Sequence, residues 1–384
     1  MISVLDVRVL RGNGGGPEKT LGLSARYLRD LGYQMTCAYL CDPEDEAAKQ
    51  TIQNLRQQGT EVYVLDDCGP MDWKPLRGLT RIISNLGVVI YHGHDYKSNV
   101  LAGLLARGCL RVATLHGWVS YTTRLKYYYA IEKICLRQFA RIYCVSRELC
   151  QRAQHYRIPP QRLCYLPNGI VIRDYERKST SMEARQKRGL PSEGFWLGAV
   201  GRLSEEKNLP ALIEVVHVLR RQGWPIWGLL VGDGPLRKHL ESMVLDLRVS
   251  NYVVFAGYQK DVRPWLECMD AYLCCSLREG MPNSVLEAMA MEVPVLAMPV
   301  GELPYMICHG TEGILLSTGR VEEIAEIVKA MIRGIINYQR LGKEGRRRVE
   351  KDFSFEQRMK RLAGDYDRLL AEYRKRLVKF MSSN

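Results

Sequence analysis

Short apolar runs alternate with helical patterns along most of this chain, and this alternation is the strongest constraint on its fold. Strands that alternate with helices form a parallel sheet with helices packed on both faces. Six strand-like runs occupy the first half, and five more follow a polar stretch. The runs are 3–10, 35–40, 61–65, 88–91, 112–115 and 142–145, then 195–200, 227–231, 253–255, 271–275 and 295–297. The sequence therefore predicts an α/β protein of two doubly wound domains that face a central cleft.

Domain boundaries follow from length and composition. A chain of 384 residues suggests two domains. Residues 173–193 are charged and poor in apolar side chains, so we predict the interdomain linker there. The N-terminal domain then covers residues 1–172, and the C-terminal domain covers residues 194–356. Residues 357–384 continue a helical pattern rich in Arg and Lys, which either caps the second domain or crosses back to the first.

Composition also bears on the cellular setting. No run reaches the roughly 18 to 20 apolar residues of a membrane span, and the N-terminus lacks the basic region and cleavage signal of a secretory peptide. The twelve cysteines are scattered without a C-x-x-C pair, which predicts reduced thiols. We therefore expect a cytoplasmic protein, and peripheral binding at the inner face of the membrane stays open.

Two cations lie on the loop that follows the predicted strand 195–200. Arg202 offers a forked donor and Lys207 a mobile point charge, a combination that suits a diphosphate. Local pairing with Glu205 and Glu206 is the alternative.

A second loop carries two acids eight positions apart. Glu279 precedes a Gly-x-Pro turn, and Glu287 lies about one turn into a helical pattern. The first turn of a helix offers unpaired N–H groups and a partial positive charge. A loop carboxylate beside such donors suits a ligand that is both polyhydroxylated and phosphorylated.

The first half carries weaker signals. The glycines at 14–16 follow the first strand and allow a phosphate to approach a helix N-terminus, although a tight turn would explain them equally well. His116 follows an apolar strand, the position where ligands bind in such sheets. His92 and His94 suggest a metal, but no third or fourth ligand has useful spacing, so no metal is expected.

Together and in this order, the motifs resemble those of the retaining glycosyltransferases of family four, which have the GT-B fold of two Rossmann-like domains. The resemblance covers nearly the whole chain. It rests on Gly201 to Lys207, on the Gly232-Asp233-Gly234-Pro235 turn, and on Glu279 and Glu287 in the E-x7-E spacing. Further support comes from the Gly-rich loop before Glu18, from His116-Gly117, and from Pro167-Asn168-Gly169-Ile170.

The resemblance implies roles for the residues of the second domain. Glu279 would hold hydroxyls of a donor sugar, and Glu287 would bind the ribose. Arg202 and Lys207 would hold the diphosphate and stabilise it as it leaves. The loop that contacts the sugar would comprise Gly280, Met281, Pro282 and Asn283.

The resemblance also assigns residues of the first domain. Gly15 and Gly16 would approach the diphosphate, and His116 would lie near the reacting sugar carbon. With Glu279, Arg202 and Lys207, His116 completes the expected catalytic set. One segment departs from the family pattern of Gly-Gly followed by Pro-Glu, since it reads Gly301-Glu302-Leu303-Pro304-Tyr305 here.

The reaction implied is transfer of a sugar from a nucleotide-diphosphate sugar, UDP rather than GDP, with retention and without metal or other cofactor. The expected acceptor is a glycan or lipid-linked sugar, and a soluble small molecule is the alternative. A more remote alternative is a non-catalytic basic protein that binds nucleic acid through the arginines at 346–348. Because no nucleic-acid-binding motif accompanies them, no nucleic-acid partner is expected.

Residues 122–141 combine basic, aromatic and apolar side chains in a helical pattern. Together with the net charge of +13, they predict docking on an anionic lipid surface. An ordinary amphipathic helix with a solvated basic side explains the pattern nearly as well. The side chains concerned are Arg124, Lys126, Tyr127, Tyr128, Tyr129, Lys133, Arg137 and Arg141.

Overall fold

The computed structural model describes residues 1–12, 16–69, 72–106, 108–118 and 123–381. The chain forms two compact units. The first comprises Met1–Asn168 with Glu356–Asn384, and the second comprises Gly169–Phe355. Both units are α/β, and within the described ranges no helix has the length and apolar character needed to cross a membrane.

The first unit contains a seven-stranded parallel sheet in the order β3-β2-β1-β4-β5-β6-β7. Its strands are β1 Ile2–Val9, β2 Tyr33–Cys41, β3 Val62–Asp66, β4 Ile90–Gly93, β5 Leu110–Leu115, β6 Arg141–Cys144 and β7 Leu163–Tyr165. Its helices are α1 Gly16–Arg29, α2 Glu46–Gln57, α3 Pro75–Asn85, α4 Tyr96–Leu105, α5 Thr123–Leu136 and α6 Arg147–His155. The strand order reverses between β1 and β4, and ligands of open α/β sheets bind at such a switch point.

The second unit contains a six-stranded parallel sheet in the order β10-β9-β8-β11-β12-β13. Its strands are β8 Phe195–Val200, β9 Ile226–Val231, β10 Val253–Gly257, β11 Ala271–Cys274, β12 Val295–Ala297 and β13 Gly313–Leu315. Its helices are α7 Ser181–Gln186, α8 Pro210–Arg221, α9 Arg237–Asp246, α10 Arg263–Leu266, α11 Asn283–Ala290, α12 Leu303–Met306, α13 Val321–Ile332 and α14 Tyr338–Asp352. Here the switch point lies between β8 and β11, so the loops that follow these two strands meet.

The segment predicted as a linker, 173–193, is instead part of the second unit. It contains α7, and the nearly buried Arg185 donates to Asp270 Oδ2 at 2.5 Å and to the Cys268 carbonyl at 2.8 Å. The charged side chains that made the segment look like a linker instead bind the body of the domain. The first unit therefore ends at Asn168, before the predicted boundary at 172.

The C-terminal helix, α15 Phe355–Met381, packs on the first unit from Glu356 onward. Asp365 accepts hydrogen bonds from Arg141 Nε and Tyr143 OH, each at 2.9 Å. One residue later, the Tyr366 hydroxyl lies 2.6 Å from His92 Nδ1. The helix therefore contributes buried polar groups to the core of this unit.

Candidate functional site

The loops after β8 and β11 bring a cation and a carboxylate into contact. Lys207 Nζ lies 2.5 Å from Glu279 Oε1, and Ser276 Oγ donates to the same oxygen at 2.7 Å. Burial alone would lower the pKa of Lys207, but the Glu279 carboxylate outweighs burial and raises that pKa. Lys207 is therefore a fixed cation beside Glu279. The alternative of local pairing between Lys207 and Glu206 is not observed. Glu206 instead accepts a hydrogen bond from Ser204 Oγ at 2.6 Å.

The loop that carries Arg202 is supported from below by the Gly232–Pro235 turn. The Leu203 amide donates to the Asp233 carbonyl at 3.0 Å. A Cβ on Gly232 would lie 1.9 Å from the Gly201 carbonyl oxygen, so only glycine fits there. The turn therefore holds the cationic loop in place, while the Arg202 side chain itself is exposed and accessible to a ligand.

The loop predicted to contact a sugar, Gly280 to Asn283, leads directly into α11. No described side chain caps the first amide groups of this helix, and Asn283 Oδ1 is buried without a hydrogen-bond partner among the described residues. Because a buried polar atom without a partner costs free energy, the arrangement favours a ligand that supplies one. Loop and helix terminus thus offer both donors and an acceptor to a polyhydroxylated group.

The segment that departs from the family pattern packs under this loop. Gly301 has φ +59°, and a Cβ there would lie 2.2 Å from the Glu279 carbonyl oxygen. The Glu302 amide donates to the Gly280 carbonyl at 2.9 Å, and the Glu302 side chain is fully buried. The displaced acid is therefore a structural support of the loop from Gly280 to Asn283.

Glu287 has a partner that the sequence did not reveal. Its Oε1 accepts a hydrogen bond from Tyr175 OH at 2.8 Å. Tyr175 ends a 3-10 turn, Ile172–Tyr175, and Arg346 NH1 donates to its carbonyl at 2.7 Å. No periodic signal marked Tyr175, because it lies far from Glu287 in sequence and within the presumed linker.

The arginine run at 346–348 has structural partners. Besides its bond to Tyr175, Arg346 donates to Glu350 at 2.8 Å. Arg347 pairs with Glu344 at 2.5 Å, and Arg348 pairs with Asp352 at 2.8 Å. These pairings give the run a structural role within the second unit.

In the first unit, two of the predicted residues, Gly16 and His116, follow β1 and β5. Gly15 falls outside the described residues, and Gly16 is the first residue of α1. His116 follows β5, with its Nε2 at 3.4 Å from His94 Nδ1. Burial, together with the Arg8 guanidinium, holds the pKa of His116 well below its usual value, so the imidazole is neutral at pH 7.

The third candidate metal ligand, which the sequence did not locate, is Asp6 on β1. Asp6, His92 and His94 offer three ligand atoms within 4.8 Å of one another. However, the two ring nitrogens of His92 already lie 2.6 Å from Tyr366 OH and 2.7 Å from Thr114 Oγ1. Because both nitrogens are hydrogen-bonded, the set fits a polar network better than an ion, and the absence of a metal requirement stays a prediction.

The basic and aromatic segment at 122–141 forms α5, although residues 119–122 and the side chain of Arg124 lie outside the described part. Several of its cations have partners within the unit. Lys133 lies 3.4 Å from the Tyr156 ring centroid, and Arg137 donates to the Tyr156 carbonyl at 3.1 Å. The exposed face is instead apolar, with Tyr127, Ile131 and Ile134 at helical spacing.

The inner side of α5 is anchored by Glu132. This buried carboxylate accepts from Asn99 Nδ2 at 2.7 Å and from Trp118 Nε1 at 2.9 Å. Burial raises the pKa of Glu132 to about 7, against the lowering effect of both hydrogen bonds. Because Trp118 is two residues from His116, Glu132 also anchors the loop that presents His116.

Two parallel Rossmann-like sheets of this kind, with clustered cations and carboxylates at a switch point, define the GT-B class of glycosyltransferases. Residues 14–173 match the model described as Glycosyltransferase Family 4, and residues 194–333 match Glycosyl transferases group 1. The two matches together cover well over half of the sequence, and the chain belongs to the family-four glycosyltransferases. The predicted fold class and family are confirmed.

Individual relatives support the same assignment. A lipopolysaccharide core biosynthesis glycosyltransferase of Rhizobium meliloti is 31% identical over 45% of this chain and 49% of its own length, so the chain matches about half of that relative. A UDP-Gal:α-D-GlcNAc-diphosphoundecaprenol α-1,3-galactosyltransferase of Escherichia coli is 24% identical over 68% of this chain and 70% of its own. The crystal structure of HepE from Anabaena with UDP-glucose superposes with a TM-score of 0.83, at 19% identity, over 96% of this chain and 100% of that one.

Proposed function

We propose that this protein is a retaining glycosyltransferase that moves a sugar from a UDP-sugar to a glycan or lipid-linked acceptor in polysaccharide or glycolipid synthesis. The observation that carries the proposal is the contact between Lys207 and Glu279 at the switch point of the second unit. It brings together a group for the diphosphate and a group for the sugar. Names of relatives support the acceptor class, since they include a lipopolysaccharide core enzyme and one acting on a diphosphoundecaprenol-linked sugar.

The donor would lie across the end of this sheet. Arg202 and Lys207 would hold the diphosphate, Glu287 the ribose, and Glu279 the sugar hydroxyls. Lys207 would then contact both an anionic phosphate and the Glu279 carboxylate, which offsets the repulsion between them. As the sugar–oxygen bond breaks, negative charge develops on the diphosphate, and a cation already in place stabilises it without reorganisation.

The placement of the two carboxylates supports a transferase over a glycoside hydrolase. Glu279 and Glu287 belong to one loop-and-helix unit, whereas a glycoside hydrolase places its two carboxylates on opposite sides of the scissile bond. Glu279 Oε1 is also engaged by Lys207 and Ser276. Therefore we propose a front-face displacement in which the leaving phosphate accepts the acceptor's proton, with no metal or other cofactor required.

A donor screen tests this proposal. Nucleotide release would be measured across UDP-sugars and GDP-sugars, with Glu279→Gln as the inactive control of nearly equal shape. We expect release from a UDP-sugar by the wild type, and at least about a hundredfold less by the variant. Equal release by both proteins would contradict the proposed role of Glu279, and release from GDP-sugars alone would overturn the UDP assignment.

The exposed face of α5 supports binding to an anionic lipid bilayer. Tyr127, Ile131 and Ile134 are 68%, 49% and 59% exposed along one face of α5, next to the exposed Lys126. An apolar stripe flanked by cationic charge is typical of helices that bind at a lipid surface. We therefore propose peripheral binding at the cytoplasmic face of a membrane, where a lipid-linked acceptor would be presented.

Cosedimentation with phosphatidylglycerol vesicles at low salt tests whether the protein binds a bilayer. We expect the wild type to pellet and the double variant Ile131→Ser, Ile134→Ser to stay in the supernatant. Leu245→Ser changes an equally exposed apolar residue of the second unit and serves as the matched control. If the wild type does not pellet, the membrane proposal is wrong, and a soluble acceptor becomes the better one.

A further inference from the structure

The Glu279 carboxylate receives its hydrogen bonds from the described residues at one oxygen only. Lys207 Nζ lies 2.5 Å from Oε1, and Ser276 Oγ donates to the same oxygen at 2.7 Å. No described residue donates to Oε2, and this atom is not fully buried. Each carboxylate oxygen has about two lone-pair sites. The acceptor capacity of Oε1 is therefore filled, and that of Oε2 is open to a ligand.

The two donors come from different loops of the second unit, and these loops are joined. Lys207 follows β8, and Ser276 follows β11. Between them, the Leu277 amide donates to the Glu206 carbonyl at 2.8 Å. Ser276 is only 2% exposed, so its hydroxyl is enclosed by protein. The fold therefore holds both donors at defined positions around the carboxylate.

A thiol behind Ser276 directs the hydroxyl proton toward Glu279. Cys274 Sγ lies 3.7 Å from Ser276 Oγ. Burial raises the pKa of Cys274, so the thiol is protonated at neutral pH and can donate to Ser276 Oγ. A hydroxyl that accepts a hydrogen bond on its oxygen keeps its own proton for another acceptor. In this arrangement the proton of Ser276 points to Glu279 Oε1.

Two donors at one oxygen fix an orientation that the cation alone would leave free. The last torsion of a glutamate side chain is broadly distributed, so the carboxylate plane turns easily. An ammonium group is a compact point charge and tolerates such turning. The Ser276 hydroxyl is a directional donor, because hydrogen bonds weaken steeply as their angle departs from linearity. Its bond therefore sets the plane of the carboxylate and the direction of the lone pairs on Oε2.

We propose that Ser276 is a positioning residue that fixes the plane of the Glu279 carboxylate, so that Oε2 alone accepts hydroxyl groups of the donor sugar. The sugar in this proposal rests on the proposed function, whereas the orientation of the carboxylate is a property of the free protein. Ser276 itself does not contact the donor, because its hydroxyl is buried and already engaged. Sugar recognition by Glu279 then depends on a side chain that the sugar never touches.

Calorimetric titration with UDP and with the UDP-sugar found in the donor screen tests the effect on the sugar. In Ser276→Ala, the Kd of the UDP-sugar should rise about tenfold and that of UDP less than about twofold, because UDP has no sugar for Glu279 to hold. The matched control is Thr318→Ala. Thr318 Oγ1 also donates to a carboxylate of this unit, Glu323, at 2.6 Å, and its loss should leave both affinities unchanged. Equal weakening of both ligands in Ser276→Ala, or of neither, would overturn the proposal.

A double-mutant cycle separates positioning from a loss of structure. If Ser276 acts only through Glu279, Ser276→Ala has no further effect on UDP-sugar binding in the Glu279→Ala background. A merely structural role would weaken binding by a similar factor in both backgrounds. An undiminished effect of Ser276→Ala in the Glu279→Ala background would therefore contradict the proposal.

Crystal structures of the free proteins test the orientation without any substrate. We expect a single orientation of the Glu279 carboxylate in the wild type, with Lys207 and Ser276 on one oxygen, and a rotated or split carboxylate in Ser276→Ala. An unchanged single orientation in the variant would overturn the positioning role. A wild type that binds UDP but no UDP-sugar would overturn the assignment of Oε2 to the sugar. A wild type that binds neither would instead count against the proposed function, and the crystal structures would still decide the positioning role.

Discussion

Replacing Gly301 by alanine should impair catalysis without unfolding the protein. Gly301 has φ +59°, and the added Cβ would lie 2.2 Å from the Glu279 carbonyl oxygen and 2.7 Å from that of Gly280. Real Cβ contacts essentially never fall below 3.0 Å, so the sugar-binding loop must retreat by about 0.8 Å. A misplacement of about 1 Å can cost on the order of a hundredfold in rate.

The matched control is Gly310→Ala. Gly310 also has a positive φ, +77°, but an added Cβ would meet nothing within 4 Å. Both variants pay about 1 to 2 kcal/mol for the left-handed backbone, and only Gly301→Ala displaces the loop. Transfer measured by nucleotide release should therefore fall about a hundredfold in Gly301→Ala alone, and equal activity in the two variants would refute this reasoning.

Three further changes probe the site and its surroundings. Lys207→Met removes the cation beside Glu279 and should lower kcat/KM by about 10²–10³. The surface variant Lys238→Met is its control, and a loss below threefold would be too small for the proposed role. Tyr175→Phe removes the hydrogen bond to Glu287 and should weaken UDP binding about fivefold by calorimetry, whereas unchanged affinity would mean that Glu287 needs no such support. Burial raises the pKa of Glu132 from 4.5 to about 7, so the folded state favours the protonated carboxyl group. The resulting contribution to the free energy of unfolding is complete below pH 4.5 and is lost as the pH rises through 7. Relative to Glu132→Gln, the wild type should lose about 2.5 kcal/mol between pH 5 and pH 8.5 in urea unfolding, and parallel pH curves would contradict this.

Most strands could be predicted because they are continuous apolar runs that the sheet buries on both faces. The run at 195–200 matches β8, and that at 295–297 matches β12. The two strands that escaped prediction, β7 and β13, have three residues each and, unlike the equally short β12, are not buried throughout. Such short strands are defined by pairing with a neighbour, so they leave too little periodicity to detect.

The candidate site was predicted only in part, because local sequence patterns reveal some of its residues and not others. Lys207 and Glu279 lie on loops directly after strands, where parallel topology alone indicates a binding edge. Tyr175 and Gly301 act through contacts with residues remote in sequence. A side chain selected by its long-range partner carries no local pattern, and only the folded chain reveals it.

In the proposed function, the second unit binds the nucleotide of a UDP-sugar, with Glu287 on the ribose and Lys207 on the diphosphate. The most direct measurement is the stabilisation of the free protein by UDP in equilibrium unfolding. At a UDP concentration of 100 times its Kd, the free energy of unfolding should rise by about 2.7 kcal/mol, and the rise should be largely lost in Glu287→Gln. No stabilisation of the wild type by UDP, or equal stabilisation of wild type and variant, would contradict this account.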